Sequence, residues 1–259
     1  LWAMLTADIT ATLVVWMAGL LLKNASVYDP YWSIAPPVIV LGWMLVSGFR
    51  FASVLMLLAL LIWSIRLTYN FLVGWEGLDH QDWRYGMLKE KNPKLWVITN
   101  LFGINLFPTL IVFICLIPAY MVVTSKAQID LLFVIGFIMC IAAALIQYIS
   151  DEQMRVFRKT KQPGLYIDTG VWRYSRHPNY FGEVLMWWGV WVMQFGINQT
   201  VWMTILGPVA MTALFLWISI PMMETRILGK CEGYREYQET VSILIPWARR
   251  KSIQEEACE

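Results

Sequence analysis

Seven stretches of this chain are long and apolar enough to cross a bilayer, and no other feature constrains its fold as tightly. At about 1.5 Å of rise per residue, ~30 Å of hydrocarbon calls for about 20 apolar residues in a row. The stretches fall at roughly 5–22, 32–48, 51–72, 97–123, 130–150, 184–199 and 201–220. Tight turns at 48–50 and 198–200 join the second to the third and the sixth to the seventh. The reading is an all-α polytopic membrane protein with seven transmembrane helices. Composition agrees: 58% of residues are hydrophobic and 15% charged, against about 45–50% and 25% in soluble domains.

The distribution of charge says more than the net +2. With seven crossings, seventeen of the 20 basic residues fall on one side: Lys23, the 73–96 loop, the 151–183 loop and the segment after the last span. Arg50 and Lys126 lie opposite, and Arg66 sits within the third span. The positive-inside rule then puts the N-terminus outside and the C-terminus in the cytoplasm, with a bacterial inner membrane as the expected setting. Every sizeable polar segment joins one cytoplasmic cap, an arrangement suited to a soluble, charged ligand. One domain is expected over 1–247, its cofactor half at about 130–247, followed by a polar tail at 248–259. Leu1 in place of an initiator methionine implies a few preceding residues.

Within the cap, "GVWRYSRHPNYFGE" (170–183) concentrates hydrogen-bonding groups at the mouth of a span. Upstream, Asp151, Arg155 and Arg158 share a helical face by their i,i+4 and i,i+3 spacing, and Pro163–Gly164 should end that helix. Pro178 suits the first turn of the next helix, whose N-terminal amides would face an anion. Arginines meeting lipid phosphates would explain the basic residues, but not Tyr166, Tyr174, His177, Asn179 and Glu183. The four cysteines form no CxxC or Cys/His cluster, two histidines cannot complete a zinc site with them, and no metal is expected. Neither GxGxxG nor a P-loop occurs, so neither a Rossmann domain nor a triphosphate site is expected. Nothing points to nucleic acid.

These segments, with "SVYDPYWS" (26–33), "DWRY" (82–85) and "IPW" (245–247), resemble the steroid 5-alpha-reductase family, particularly its bacterial branch. The resemblance implies a seven-helix fold that binds NADPH at the cytoplasmic face and reduces a conjugated C=C bond in a steroid-like or other lipid taken from the bilayer. It implies cofactor contacts from Asp151, Arg155, Arg158, Asn179 and Glu183, with Tyr166, Tyr174, Arg176 and His177 as lining and Glu224 and Arg226 from the segment after the last span. The family's early carbonyl-polarising pair falls on Tyr28 and Asp29, the latter protonated. Its later tyrosine falls near Trp63, which offers no hydroxyl.

"RHPNYFG" (176–182) is also similar to the "RHPxYxG" of isoprenylcysteine carboxyl and phospholipid methyltransferases, which use S-adenosylmethionine. Their usual paired glutamates are here Met223 and Glu224. That donor is net cationic and does not need an arginine cluster, whereas NADPH brings about four negative charges for arginines to neutralise. A catalytically inactive membrane scaffold is the third reading. Arg66 either faces the bundle interior, pairing with Asp29 or a cofactor phosphate, or snorkels to the interface. "DHQDWRY" (79–85) is either an amphipathic turn or a lid over the cofactor. Trp187, Trp188, Trp191, Trp202 and Trp217 are expected at interfaces and lipid-facing surfaces.

Overall fold

Inside hydrocarbon no water can satisfy a free N–H or C=O, so apolar stretches close their own hydrogen bonds as helices. A computed structural model describes residues 1–160 and 164–250, and among these there is no strand. In chain order the helices are α1 (Trp2–Leu21), α2 (Asp29–Ser47), α3 (Phe51–Gly74), α4 (Trp83–Lys91), the one-turn α5 (Trp96–Ile98), α6 (Phe107–Thr124), α7 (Leu131–Thr160), α8 (Pro178–Ile197), α9 (Leu206–Leu214), α10 (Ile220–Leu228) and α11 (Tyr234–Thr240). Two π-helical stretches, Thr99–Leu106 before α6 and Phe215–Ser219 between α9 and α10, widen the helices they interrupt.

Six helical runs are long and apolar enough to span a membrane: Trp2–Leu21, Ala25–Ser47, Phe51–Gly74, Pro93–Thr124, Leu131–Thr160 and Gln199–Leu228. The chain is thus an integral membrane protein. The difference from the expected seven is α8, which has 20 residues but carries Glu183, Gln194 and three tryptophans that dilute its apolar character. It is nonetheless packed in the middle of the bundle, with Met186, Trp187, Val190 and Met193 fully buried.

The most extensive helix contact is between α7 and α8, and small residues make it. A Cβ on Gly136 would lie 2.5 Å from the Met193 nitrogen, one on Gly189 2.9 Å from the Gly136 carbonyl, and one on Gly182 2.9 Å from the Ala143 carbonyl. Gly182, Gly189 and Gly196 recur at intervals of seven, so they share one face of α8. Such small-residue seams let backbones meet in a membrane, where lipid offers no hydrophobic drive for helix association. The seam fixes Gln147 of α7 beside Glu183 of α8.

As expected, α7 runs on past the apolar stretch, to Thr160; the expected stop at Pro163 lies outside the described residues. The first residues of the polar tail are tied to α11. The Arg250 backbone N–H donates to the Thr240 carbonyl at 2.9 Å and Arg249 Nε to Thr240 Oγ1 at 3.2 Å; residues 251–259 are outside the described set.

Candidate functional site

Three polar clusters lie along the end of the bundle that carries the cap. The first is inside the helix core. Glu183, 4% exposed, accepts from Trp63 Nε1 (2.9 Å) and Gln147 Nε2 (2.6 Å) on Oε2, and from Trp187 Nε1 (3.0 Å) on Oε1. Arg66 reaches in from α3, with Nη1 donating to Asp151 Oδ2 at 2.8 Å and Nη2 standing 3.8 Å from Glu183 Oε2. Arg66 Nε and Nη2 and Gln147 Oε1 are buried and make no hydrogen bond. Two carboxyl groups therefore face one guanidinium, amid the edge-on rings of Trp32, Trp63 and Trp187.

The second cluster ties the C-terminal segment to the bundle. Glu224 of α10 accepts from Arg176 Nε (2.7 Å) and Gln238 Nε2 (2.7 Å) and lies 3.0 Å from His177 Nε2. Arg176 Nη1 also donates to the carbonyls of Gln238 (2.5 Å) and Val241 (2.8 Å). Burial is the largest influence on the His177 imidazole and holds it below its ordinary range; the Glu224 hydrogen bond opposes this without reversing it.

The third cluster is the 79–85 segment folded over the start of α2. Tyr85 donates to Asp29 Oδ1 at 2.5 Å, and Asp82 caps α4 while pairing with Arg84 at 2.9 Å. Burial alone would raise the Asp82 carboxyl, but the bonds from Arg84 outweigh it and hold it low. Arg226 lies over the Trp83 ring, 4.0 Å from its centroid, with Nη1 buried and unpartnered. Tyr180 joins the clusters: it stacks on His177 at 5.3 Å and feels the charges of Arg84, Asp82, Asp151 and Arg158.

The expected site residues divide accordingly. Asp151 and Glu183 meet in the first cluster, Arg176, His177 and Glu224 in the second, Asp29 and Arg226 in the third. Tyr28 does not join Asp29; it points into the bundle, its hydroxyl 2.9 Å from Thr109 Oγ1. Arg155 pairs with Glu152 and lies over Tyr69, while Arg158 is exposed. Tyr166 packs on Tyr234 and Tyr237, Tyr174 is exposed and accepts the Trp247 N–H through its carbonyl, and Asn179 accepts the Tyr180 N–H. Sequence reasoning missed Trp63, Gln147, Trp187, Tyr180 and Gln238. Arg66 does face the interior, but its partner is Asp151 rather than Asp29. Trp187 is a fully buried donor, not a lipid-facing ring.

Fold and clusters together define a helical membrane protein with a buried, partly unsatisfied polar site under a cap. The chain belongs to a family of proteins of unknown function, DUF1295, which matches residues 15–241. It is 27% identical over 273 residues, 90% of this chain and 76% of the relative, to an uncharacterized protein of Schizosaccharomyces pombe. Over 80 residues, 30% of this chain and 25% of the relative, it is 30% identical to methanethiol S-methyltransferase 1 of Bradyrhizobium diazoefficiens. No solved structure matches. These findings correct the expected membership in the steroid 5-alpha-reductase family: the family that matches is a different one, and the relative of named activity is a methyltransferase. The expectation of NADPH rested on that resemblance, and neither fold nor relatives bear on it.

Proposed function

We propose that this protein is a membrane methyltransferase that uses S-adenosylmethionine to methylate a small nucleophile partitioned into the bilayer. The observation that carries the reading is the 80-residue similarity to an enzyme named for S-methylation. The "RHPNYFG" segment, which is similar to that of other membrane methyltransferases, agrees with it.

The first cluster fits such a donor chemically. An α-amino carboxylate needs a cationic fork and a hydrogen-bond acceptor, and in this cluster Arg66 Nε and Nη2 and Gln147 Oε1 are buried groups that make no hydrogen bond. The excess of carboxyl groups over guanidinium there suits a cation, and indole faces add attraction for one. In this reading Arg66, Gln147 and Asp151 hold the amino-acid end, and Glu183 with Trp63 and Trp187 borders the positive centre. S-Adenosylmethionine supplies an electrophilic methyl group on a sulfonium. Methylating a neutral X–H nucleophile releases the thioether, the methylated product and one proton. The chain's own part is to orient the donor, exclude water through the 79–85 segment clasped by Arg226, and admit the acceptor from between helices. The cap faces the cytoplasm, with the N-terminus outside and the C-terminus inside, in a bacterial inner membrane.

Titrating S-adenosylmethionine, S-adenosylhomocysteine and NADPH into the purified protein in nanodiscs tests this. The two adenosyl compounds should raise the unfolding temperature, and Arg66→Gln should abolish the rise. Stabilisation by NADPH alone would overturn the proposal.

A further inference from the structure

Trp32 separates the Glu183 cluster from a second buried carboxyl group that the proposed chemistry does not use. Asp8 lies within α1, is 6% exposed, and among the described residues has no cationic partner. Its Oδ1 accepts from the Tyr31 hydroxyl at 2.5 Å, and Thr12 lies near enough to act on that hydroxyl. Thr12 Oγ1 is 3.0 Å from Thr109 Oγ1, which in turn is 2.9 Å from the Tyr28 hydroxyl. Each hydroxyl in this series can give a proton and take one.

The row continues toward the cap. One turn before Thr109, Asn105 is 1% exposed and its Oδ1 has no partner, while its Nδ2 donates to Asn100 Oδ1 at 2.8 Å. The π-helical stretch sets this row, because its wider i→i+5 turn stacks residues 100 and 105 on one face. Asn100 in turn lines a cavity of about 300 Å³ with Lys23, Asn24, Gln81 and Lys89. At the other end, a cavity of about 10 Å³ touches Asp8, Tyr31, Trp32 and Thr109. That volume is about what one water requires and is too small for a substrate.

We propose that this row is a water and proton path from the cap-side cavity to Asp8, and that Asp8 is a protonatable site inside the membrane. A lone carboxylate in hydrocarbon is costly, and neutralising it removes the cost. The orphaned Asn105 Oδ1 marks where a water bridges the break between Asn105 and Thr109, and the water-sized cavity touching Asp8, Tyr31 and Thr109 joins Thr109 to the carboxyl end. Such a path would give the proton released by methyl transfer an exit from a dry core; that use rests on the function proposed above, while the path does not.

Dicyclohexylcarbodiimide is lipid-soluble and adds to protonated carboxyl groups, so it is the probe of choice on the whole chain in nanodiscs. Mass spectrometry should place the adduct on Asp8, with loss of that adduct in Asp8→Asn. In infrared hydrogen–deuterium exchange, Thr109→Val and Asn105→Leu should slow deuteration of the Asp8 carboxyl severalfold and leave the final extent of labelling unchanged. An unlabelled Asp8, or exchange at the wild-type rate in Thr109→Val, would overturn the proposal. If Asp8→Asn does not accumulate, the position of the adduct in the wild-type chain decides. Neither readout involves S-adenosylmethionine, so failure here is distinct from failure of the methyltransferase reading.

Discussion

Glu183→Leu is the perturbation that tests the core cluster most directly. The substitution keeps bulk and removes the acceptor shared by Trp63 Nε1, Gln147 Nε2 and Trp187 Nε1. Trp63, Trp187 and Gln147 are each 1% exposed or less, so water cannot replace the lost partner. Leaving a buried donor unsatisfied costs about 1–3 kcal/mol, and three such donors bring the loss to about 3–9 kcal/mol. Arg66 keeps Asp151 at 2.8 Å, so its charge adds less than a fully orphaned one would. The total rivals the ~5–15 kcal/mol that holds a typical domain folded. Glu183→Gln should lose far less, because its carbonyl still accepts and only one side of the carboxylate becomes a donor. Tryptophan fluorescence through a denaturant titration in mixed micelles reads the difference, since two of the three donors are themselves the reporters. Wild-type stability in Glu183→Leu would refute the argument that these N–H groups depend on one carboxyl.

Arg176→Ala should cost roughly 3–5 kcal/mol, the usual effect of removing one partner of a buried pair, and should expose 234–250 to limited proteolysis, because Arg176 holds Glu224, Gln238 and Val241 together. Stability should decline as pH falls below about 6.5, the ordinary value of the imidazole: the native state resists protonating His177, so the unfolded chain takes the proton first. His177→Gln should flatten that decline in thermal unfolding across pH 7.5 to 5.5, taken as about one unit on either side of a histidine's ordinary range. Seven crossings place tags at the two termini on opposite faces in a protease-protection assay; tags on the same face would mean that α8 does not cross.

Much of this architecture was legible because hydropathy reports where a helix can lie. The stretch expected at 51–72 forms as Phe51–Gly74, and the expected continuation past 150 forms as the last turns of α7. The π-helical stretches were not legible, since they show no compositional mark. The site was legible only in part. Glu183, Asp151, Arg176 and Glu224 stood out as charges near apolar runs. Of the three donors to Glu183, Trp187 is one helical turn away, but Gln147 and Trp63 lie 36 and 120 residues away, and only packing brings those two to it. Tryptophan hid the rest, because a hydropathy reading counts the indole ring and overlooks its N–H. The local pattern could not separate Trp187, buried and donating, from Trp217, which is 78% exposed.

The glycine seam also governs how the protein meets bilayers of different thickness. At about 1.5 Å per residue, α7 with its 30 residues is about 45 Å long and α8 with its 20 about 30 Å. Helices usually adjust to a thinner or thicker membrane by tilting or sliding independently. Here backbone meets backbone at Gly136, Gly182 and Gly189, so the two must tilt as one plank. The long end of α7, with Asp151, Arg155 and Arg158 on it, therefore keeps its height above Glu183 whatever the lipid.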